Sequence, residues 1–418
     1  MESIIVCGGA RLTGEVSVSG AKNSALKLMA ASLMAPGVSR LRNVPHIADV
    51  EVMSQVLQAL GAHVSRDGDV LEIDASELTS HEAPYEFVAQ MRASTAVLGP
   101  LITRLGEAVV AMPGGCNIGS RKIDMHLRGL EALGAEVHFG HGSIDVTVPA
   151  EGLSPAQVTL DFPSVGATEN LLMASVLVTG ETVIENAARE PEIVDLINYL
   201  GAMGADIRGG GTSTVTVTGV SELHPADHTV IGDRVEAGTY LVAGAITGGP
   251  VTVRGFDPIH LEIVVTKLEA AGSEVEVGDD WVTVRRDGPV RAIDIQTLPY
   301  PGFPTDMQAQ FMAMLALANG NSIITENVFE NRFMFADELM RMGADVRIEG
   351  HHALVKGVPS LSGAPVRSTD LRGGAALVLA ALAAEGETRV GDIFHIDRGY
   401  DRFCDKLAAL GADVRRES

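Results

Sequence analysis

The chain has 418 residues and a formal charge of −23, from 31 lysines and arginines against 54 aspartates and glutamates. Its length suggests two or three domains, and its 46% apolar content excludes general disorder. An acidic chain is a poor generic ligand for nucleic acid or anionic membranes, so neither is an expected partner. Cys7, Cys116 and Cys404 form neither a disulfide framework nor a zinc motif, which favours a reducing cytoplasm.

The first residues have the pattern of two short strands, at 3–6 and 14–19. They lack the basic region and apolar run of a secretory leader. The longest apolar stretch, at 375–384, falls well short of the ~20 residues that a membrane span needs. We therefore expect neither a leader peptide nor a membrane partner.

A short pattern recurs six times along the chain: a helix-like apolar run that ends in glycine and leads into strands. The copies lie about 70 residues apart, which is typical of an internal repeat. Glycine after the last periodic apolar residue is a usual helix end, because it adopts the left-handed conformation without strain. The six glycines are Gly61, Gly134, Gly204, Gly272, Gly343 and Gly411.

Another helix, rich in small apolar residues, precedes each copy, so the repeated unit is predicted as β-α-β-α-β. These helices begin near Lys22, Arg92, Ser164, Asp233, Asp306 and Asp370. The last copy lacks its final strands, and we predict that the N-terminal strands complete it. Three repeats per domain then predict a discontinuous domain of residues 1–20 and 232–418, and a continuous domain of residues 21–231.

The loop MPGGCNIGSRKIDMH of the second repeat differs most from its counterparts. Cys116 lies among glycines in this loop, and Arg121 and Lys122 follow it closely. Nearby cations lower the pKa of a thiol and raise its reactivity, which makes Cys116 a candidate functional residue. The alternative is a small apolar residue in a turn. His126 is the last residue of this segment.

The first helix of each repeat begins with polar or charged residues. Free N–H groups at a helix start suit phosphate and carboxylate ligands. Ordinary capping is enough to explain Ser164 and Asp233, and is an alternative for Asp370. It does not explain cations, which are unfavourable at a helix start unless an anion answers them. Those cations are Lys22, Arg92 and Arg372. The chain has no metal motif, Walker loop or dinucleotide fingerprint, so we expect no metal and no cofactor.

A series of segments resembles, in order and over essentially the whole chain, the UDP-N-acetylglucosamine branch of the enolpyruvyl transferase family. They are SGAKNSAL, MRAS, PGGCNIGSRKIDMHLRGLEALGA, DFPSVGATEN, NAAREPEIVD, FPTDMQAQ, TENVFENRF, STDLRGG and HIDRGYDR. The resemblance implies a two-domain inside-out α/β barrel, with helices inside and sheets outside. Its six β-α-β-α-β repeats, three per domain, match the units found above.

The resemblance also implies a reaction: the enolpyruvyl group of phosphoenolpyruvate passes to the 3'-hydroxyl of UDP-N-acetylglucosamine, and phosphate leaves. This is the first committed step of peptidoglycan precursor synthesis. Asp306 would take the proton of the attacking hydroxyl, and Cys116 would be an acidic thiol that epoxide antibiotics of the fosfomycin type alkylate. Lys22 and Arg398 would complete the catalytic set.

The same resemblance implies which residues bind the two substrates, with Arg372 and Arg398 holding the phosphoenolpyruvate anion. The implied substrate-binding residues are Lys22, Asn23, Arg92, Arg121, Lys122, Ile123, Asp124, Met125, Phe162, Pro163, Ser164, Val165, Asp306, Val328, Asp370, Arg372 and Arg398.

Two alternatives remain open from the sequence. A 5-enolpyruvylshikimate-3-phosphate synthase would share the fold and the phosphoenolpyruvate pocket. A non-catalytic paralogue would bind the sugar nucleotide without turnover, although no position of the implied catalytic set is substituted. The sequence makes no prediction of the oligomeric state.

Overall fold

The computed structural model describes residues 2–88, 91–112, 123–140 and 142–417, and gives positions 92–94 by their backbone. The described chain separates into two compact units. Residues 2–19 and 232–417 form the split unit, and the described part of residues 20–231 forms the continuous unit. Both combine helices with sheets, so the predicted α/β class is confirmed. Within the described ranges, no helix is long and apolar enough to cross a membrane.

The first helix of each repeat is largely buried inside its own unit. Every residue of the helix Leu371–Leu382 is buried, as is every residue of Arg234–Thr247 except the last. A helix that is apolar on all sides belongs inside a core, because no face of it gains from water. The six are α1 (Lys22–Ala31), α4 (Leu98–Leu105), α6 (Val165–Ser175), α8 (Arg234–Thr247), α10 (Gln308–Leu315) and α12 (Leu371–Leu382).

The second helix of each repeat ends at the predicted glycine. All six glycines have left-handed φ angles, between 93° and 109°, as the repeat pattern predicts. At Gly61, the amides of residues 61 and 62 donate to the carbonyls of Gln58 and Leu57, both at 3.0 Å, which is the Schellman arrangement. These helices are α2 (Ala48–Ala59), α5 (Asp124–Ala132), α7 (Pro191–Ala202), α9 (Glu262–Ala270), α11 (Ala336–Arg341) and α14 (Phe403–Ala409).

Shorter helical segments lie at the ends of these elements. Two are single-turn α-helices, α3 (Tyr85–Val88) and α13 (Phe394–Asp397). Four are 3₁₀ segments: Ser32–Met34 after α1, Arg92–Val97 before α4, Pro258–Leu261 before α9 and Thr305–Met307 before α10.

The described strands form six four-stranded sheets and one strand pair, and none of these sheets closes into a barrel. In each four-stranded sheet one edge strand is parallel to its neighbour and the other pairings are antiparallel. In the continuous unit the spatial orders are β14 (Asp227–Thr229), β3 (Val38–Arg42), β5 (Val70–Asp74), β4 (His63–Asp67); β6 (Glu82–Ala83), β7 (Glu107–Ala111), β9 (Ser143–Thr147), β8 (Glu136–Gly140); and β10 (Gln157–Thr159), β11 (Glu181–Glu185), β13 (Thr214–Thr218), β12 (Asp206–Arg208).

The split unit repeats the same arrangement. Its orders are β2 (Gly14–Ser17), β15 (Val251–Arg254), β17 (Trp281–Arg285), β16 (Glu274–Val277); β19 (Ile295–Gln296), β21 (Asn321–Thr325), β23 (His352–Lys356), β22 (Asp345–Glu349); and β24 (Pro365–Arg367), β25 (Glu387–Gly391), β1 (Ser3–Cys7), β26 (Asp413–Glu417). The remaining pair is β18 (Val290–Arg291) with β20 (Ala318–Asn319).

The N-terminal strands divide between two repeats, which corrects the prediction that both complete the sixth. Strand β1 pairs with β25 and β26 and does complete the sixth sheet. Strand β2 instead pairs in parallel with β15 and becomes the edge of the fourth. Each repeat also has one strand more than predicted, directly after its glycine. In the first repeat this strand is β4, which has no buried residue and therefore no alternating apolar signal.

A buried ion pair anchors Ser19, the last residue of the split unit before the chain enters the continuous unit. Glu236 of α8 meets Lys406 of α14 with 2.6 Å between Oε1 and Nζ, and both side chains are at least nine-tenths buried. The Ser19 amide donates to Glu236 Oε2 at 2.8 Å, and Lys406 Nζ donates to Ser19 Oγ at 2.9 Å. Burial raises the pKa of Glu236 to about 7, although Lys406 opposes the shift.

This raised pKa predicts how stability changes with pH. Between about pH 4.5 and 7 the folded state keeps a proton on Glu236 that the unfolded chain has lost, so stability falls as the pH rises. The Glu236→Gln variant should lack this contribution of up to about 3 kcal/mol. Urea unfolding across this interval measures the difference. Glu274→Gln, which removes an exposed ion pair with Arg285, is the control. Parallel pH curves for wild type and Glu236→Gln would contradict the prediction.

The N-terminus of α12 predicts a second stability effect. Asp370 caps this helix, since its Oδ1 accepts from the amides of Arg372 and Gly373 at 3.0 Å each. Asp370→Ala leaves both buried amides without that acceptor and should cost about 1 kcal/mol in urea unfolding. Asp370→Asn keeps an acceptor oxygen and should cost clearly less. Equal losses for the two variants would show that the cap is not the cause.

Candidate active site

Asp306 lies between two arginines in the split unit, in the 3₁₀ segment that precedes α10. Arg332 Nη2 lies 2.8 Å from Oδ1, while Arg372 Nη2 and Nε donate to Oδ2 at 3.1 and 3.2 Å. The side chains of Arg332 and Arg372 are 5% and 3% exposed, and that of Asp306 is 25% exposed. The carboxylate is thus the accessible member of an otherwise buried cluster.

The charge of this cluster determines the basicity of Asp306. Burial by itself would raise the pKa of the carboxyl group, but the charges and hydrogen bonds of Arg332 and Arg372 outweigh burial and hold it well below its usual range. Asp306 is therefore ionised across the physiological range, and it is a weak base while both arginines face it.

Arg372 has the features of an anion-binding residue. Its Nη1 is buried and has no hydrogen-bond partner among the described residues. The guanidinium carbon lies 5.3 Å from the centre of the Tyr400 ring. A buried guanidinium with an unused N–H offers a charge-assisted hydrogen bond to an anion. The neighbouring Asp370 is already used as the helix cap, so the capping interpretation is confirmed for it, as for Ser164 and Asp233.

Arg398 and Val328 complete the predicted residues of the split unit. Arg398 directly follows α13 and is half-buried. The pKa of His395 is lowered, first by burial and then by the positive charge of Arg398, while the charge of Asp370 opposes the shift. Arg398 and Asp370 therefore both lie close to this histidine. Val328 is half-buried, and its amide donates to Glu326 at 2.8 Å.

In the continuous unit, Lys22 opens α1 and is paired with Asp49 of α2. Lys22 Nζ lies 2.7 Å from Asp49 Oδ2, and the side chain of Asp49 is 3% exposed. The unfavourable cation at this helix start is thus answered by a carboxylate of the protein itself. Asn23, the next residue, is exposed.

Two other predicted segments of this unit are joined by one arginine. Arg128 Nη2 bridges Asp124, at 3.2 Å, and Asp161, at 2.6 Å. The bridge brings residues 123–125, at the start of α5, next to residues 162–165, at the start of α6. In the second segment Phe162 is exposed, and Ser164 Oγ accepts from the amide of Ala167. Of the other residues in these segments, Ile123 is buried, and Met125, Pro163 and Val165 are half-buried.

Some predicted site residues lie outside what is described. They are Cys116, Arg121 and Lys122, together with the side chain of Arg92. His126 is a core residue: it is buried, and its Nδ1 lies 2.9 Å from Asn170 Nδ2 of α6. Among the described residues, no group of three or more His, Cys, Asp or Glu side chains could hold a metal ion.

The structure adds residues that sequence reasoning missed. Arg332 contacts Asp306, Asp49 contacts Lys22, and Arg128 joins two predicted segments. Arg332 and Arg128 lie inside motifs that carried the resemblance, whereas Asp49 lies outside them all. An ion pair between distant segments leaves no periodic signal in the sequence.

Comparison with known proteins identifies relatives over the full length. A sequence model of the family described as EPSP synthase (3-phosphoshikimate 1-carboxyvinyltransferase) matches residues 6–407. A Corynebacterium jeikeium protein named UDP-N-acetylglucosamine 1-carboxyvinyltransferase is 54% identical over 99% of both chains. A Carboxydothermus hydrogenoformans protein named UDP-N-acetylglucosamine 1-carboxyvinyltransferase 2 is 54% identical over 100% of both chains. The solved enolpyruvyl transferase NikO from Streptomyces tendae matches with a TM-score of 0.89 at 30% identity, over 99% of this chain and 98% of its own.

Full-length identity at this level, together with the fold shared with NikO, confirms the enolpyruvyl transferase fold that the motifs imply. The chain belongs to the enolpyruvyl transferase family, among the proteins named UDP-N-acetylglucosamine 1-carboxyvinyltransferase.

Proposed function

We propose that the chain transfers the enolpyruvyl group of phosphoenolpyruvate to the 3'-hydroxyl of UDP-N-acetylglucosamine and releases phosphate. The observation that carries this proposal is the pairing of Asp306 with Arg372 in one buried cluster. The reaction needs a base for the hydroxyl beside cations for a substrate that carries a carboxylate and a phosphate. The names of the full-length relatives support the choice of substrates.

In this proposal the substrate itself activates Asp306. Arg372 and Arg398 bind the phosphoenolpyruvate anion, with Asp370 close by. An anion that engages the guanidinium of Arg372 weakens the contact of that guanidinium with Asp306 Oδ2. The pKa of Asp306 then rises toward a value useful for a general base, because one of the two charges that depress it is shared. Asp306 accepts the proton as the hydroxyl attacks C2.

The other substrate-binding roles follow the motifs. Lys22 and Asn23 contact phosphoenolpyruvate and the sugar nucleotide, and Lys22 binds a substrate oxygen while it stays close to Asp49. Arg92 and Val328 bind the sugar nucleotide. Uridine and diphosphate contacts come from the two segments that Arg128 joins and from the preceding cations. These residues are Arg121, Lys122, Ile123, Asp124, Met125, Phe162, Pro163, Ser164 and Val165.

Cys116 is the acid thiol in this proposal, and it either protonates C3 of phosphoenolpyruvate or aids product release. Its assignment and those of Arg121 and Lys122 rest on the motif PGGCNIGSRKIDMH. The two compact units serve as the two domains. The reaction is the first committed step of peptidoglycan precursor synthesis, which links the protein to cell shape and division. Its cysteine usage favours the cytoplasm.

The acceptor is tested by phosphate release from phosphoenolpyruvate. We expect release with UDP-N-acetylglucosamine and none with shikimate 3-phosphate in a parallel tube. Asp306→Asn keeps the size and shape of the side chain but cannot accept a proton, so it should lower kcat by about 10²- to 10⁴-fold. Asp345→Asn, at an exposed aspartate of β22, is the matched control.

Each other result has a definite meaning. Release with shikimate 3-phosphate alone would favour the alternative of a shikimate-pathway synthase. No release in either tube would favour a sugar-nucleotide-binding paralogue.

Cys116 is tested by its reaction with an epoxide. A fosfomycin-type epoxide should add one adduct to Cys116, because neighbouring cations favour the thiolate that opens the ring. Intact-mass spectrometry with and without UDP-N-acetylglucosamine measures the adduct. Cys116→Asp should keep some turnover and gain no adduct. Modification of Cys7 or Cys404 in place of Cys116 would contradict the assignment.

A further inference from the structure

We propose that Glu326 is a positioning residue that orients Asp306 through Thr305 and Arg332. Glu326 directly follows β21 and is 2% exposed. Thr305 Oγ1 donates to its Oε2 at 2.8 Å. Arg332 Nη1 in turn donates to Thr305 Oγ1 at 3.3 Å, while Arg332 Nη2 lies 2.8 Å from Asp306 Oδ1. The inference rests on the proposed role of Asp306 as the base.

The chemistry of these groups fixes the direction of every bond in the chain. An ionised carboxylate only accepts and a guanidinium only donates. The Thr305 hydroxyl must therefore give its proton to Glu326 and accept from Arg332. One hydroxyl lone pair is thus always turned toward Arg332, which fixes the plane of the guanidinium that meets Asp306.

The same carboxylate also fixes the loop that carries Val328. Glu326 Oε1 accepts from the amides of Val328, at 2.8 Å, and Phe329, at 3.1 Å, and from Thr297 Oγ1, at 2.8 Å. Arg332 stacks over Phe329, with 5.5 Å from the guanidinium carbon to the ring centre. Glu326 thus holds both the segment before Asp306 and the segment of a proposed sugar-nucleotide contact.

The variant Glu326→Gln separates these two tasks. Its amide oxygen can still accept from Val328, Phe329 and Thr297, so the loop keeps its anchor. Its amide nitrogen now faces Thr305 as a donor, which forces the Thr305 hydroxyl to accept there and leaves its proton without the carboxylate. The contact of Arg332 with Thr305 is then weakened, and with it the orientation of Asp306.

The kinetic experiment compares wild type with five variants of the full chain in the phosphate-release assay. Glu326→Gln and Thr305→Val should each lower kcat by about tenfold to a hundredfold, the effect of losing a hydrogen bond to a charged group. In the double variant, kcat should be at most about threefold lower than in either single variant, because both substitutions interrupt the same series of hydrogen bonds. Thr305→Ser keeps the hydroxyl, so its kcat should stay near that of wild type. Thr297→Val is the matched control, since its hydroxyl reaches the same carboxylate but not Arg332, and its kcat should stay near wild type.

The pH profile separates positioning from simple destabilisation. If Arg332 is loosened, the pKa of Asp306 rises, and the acid limb of kcat, which reports the enzyme–substrate complex, should move to higher pH in Glu326→Gln and Thr305→Val. The KM for UDP-N-acetylglucosamine should stay within about threefold in Glu326→Gln, because the Val328 amide keeps its acceptor. A lower Tm with an unmoved acid limb would overturn the proposal, as would additive losses in the double variant.

Crystal structures of wild type and Glu326→Gln give a readout that does not depend on turnover. Separation of Arg332 Nη2 from Asp306 Oδ1 in the variant supports the proposal, and an unchanged contact overturns it. If wild type releases no phosphate with UDP-N-acetylglucosamine, the proposed function fails, and these structures still decide whether Glu326 positions Asp306.

Discussion

The apolar character of the central helices is the constraint on which the rest of the protein depends. Helices such as α8 and α12 are buried almost completely, so a charged group on them needs a partner, as Glu236 of α8 has in Lys406. Polar residues are therefore concentrated at the helix starts, where free amides need acceptors. Caps such as Asp233 and Asp370 and cations such as Lys22 and Arg372 occupy these positions. The fold thus places its polar and charged side chains at the ends of its apolar helices.

Buried cations at these ends are stable because carboxylates from other segments neutralise them. Asp49 pairs with Lys22, and Asp306 pairs with Arg372. Removing one partner of such a pair leaves an uncompensated buried charge, which is costly. In the proposed mechanism, an anionic substrate therefore shares the cation with the internal carboxylate, so that neither partner becomes an uncompensated buried charge. In the proposed mechanism, phosphoenolpyruvate engages the cations of these pairs, which connects substrate binding to the basicity of Asp306.

The repeats explain why distant segments meet. Each first helix is buried only when the sheets of its unit cover it, and the sixth sheet lacks a strand until β1 is inserted between β25 and β26. The fourth sheet likewise takes its edge from β2. Both ends of the chain are thus held in the split unit. The segment that leaves this unit at Ser19 is fixed by the buried pair of Glu236 and Lys406, so a single hydrogen-bonded cluster defines where the unit ends.

The sequence by itself determined the α/β class, the six repeats and the position of every helix-ending glycine. These features depend on local spacing: apolar periodicity marks the helices, and only glycine adopts the required left-handed φ without strain. The motifs also predicted Asp306, Arg372 and Lys22 as site residues, and the structure shows each of them in an ion pair. Only the tertiary structure decided that Arg332 and Asp49 are their partners, that β2 joins the fourth sheet, and that Glu326 reaches Asp306 through Thr305. Such contacts join residues from separate segments, and local sequence patterns do not record which distant segments a fold brings together.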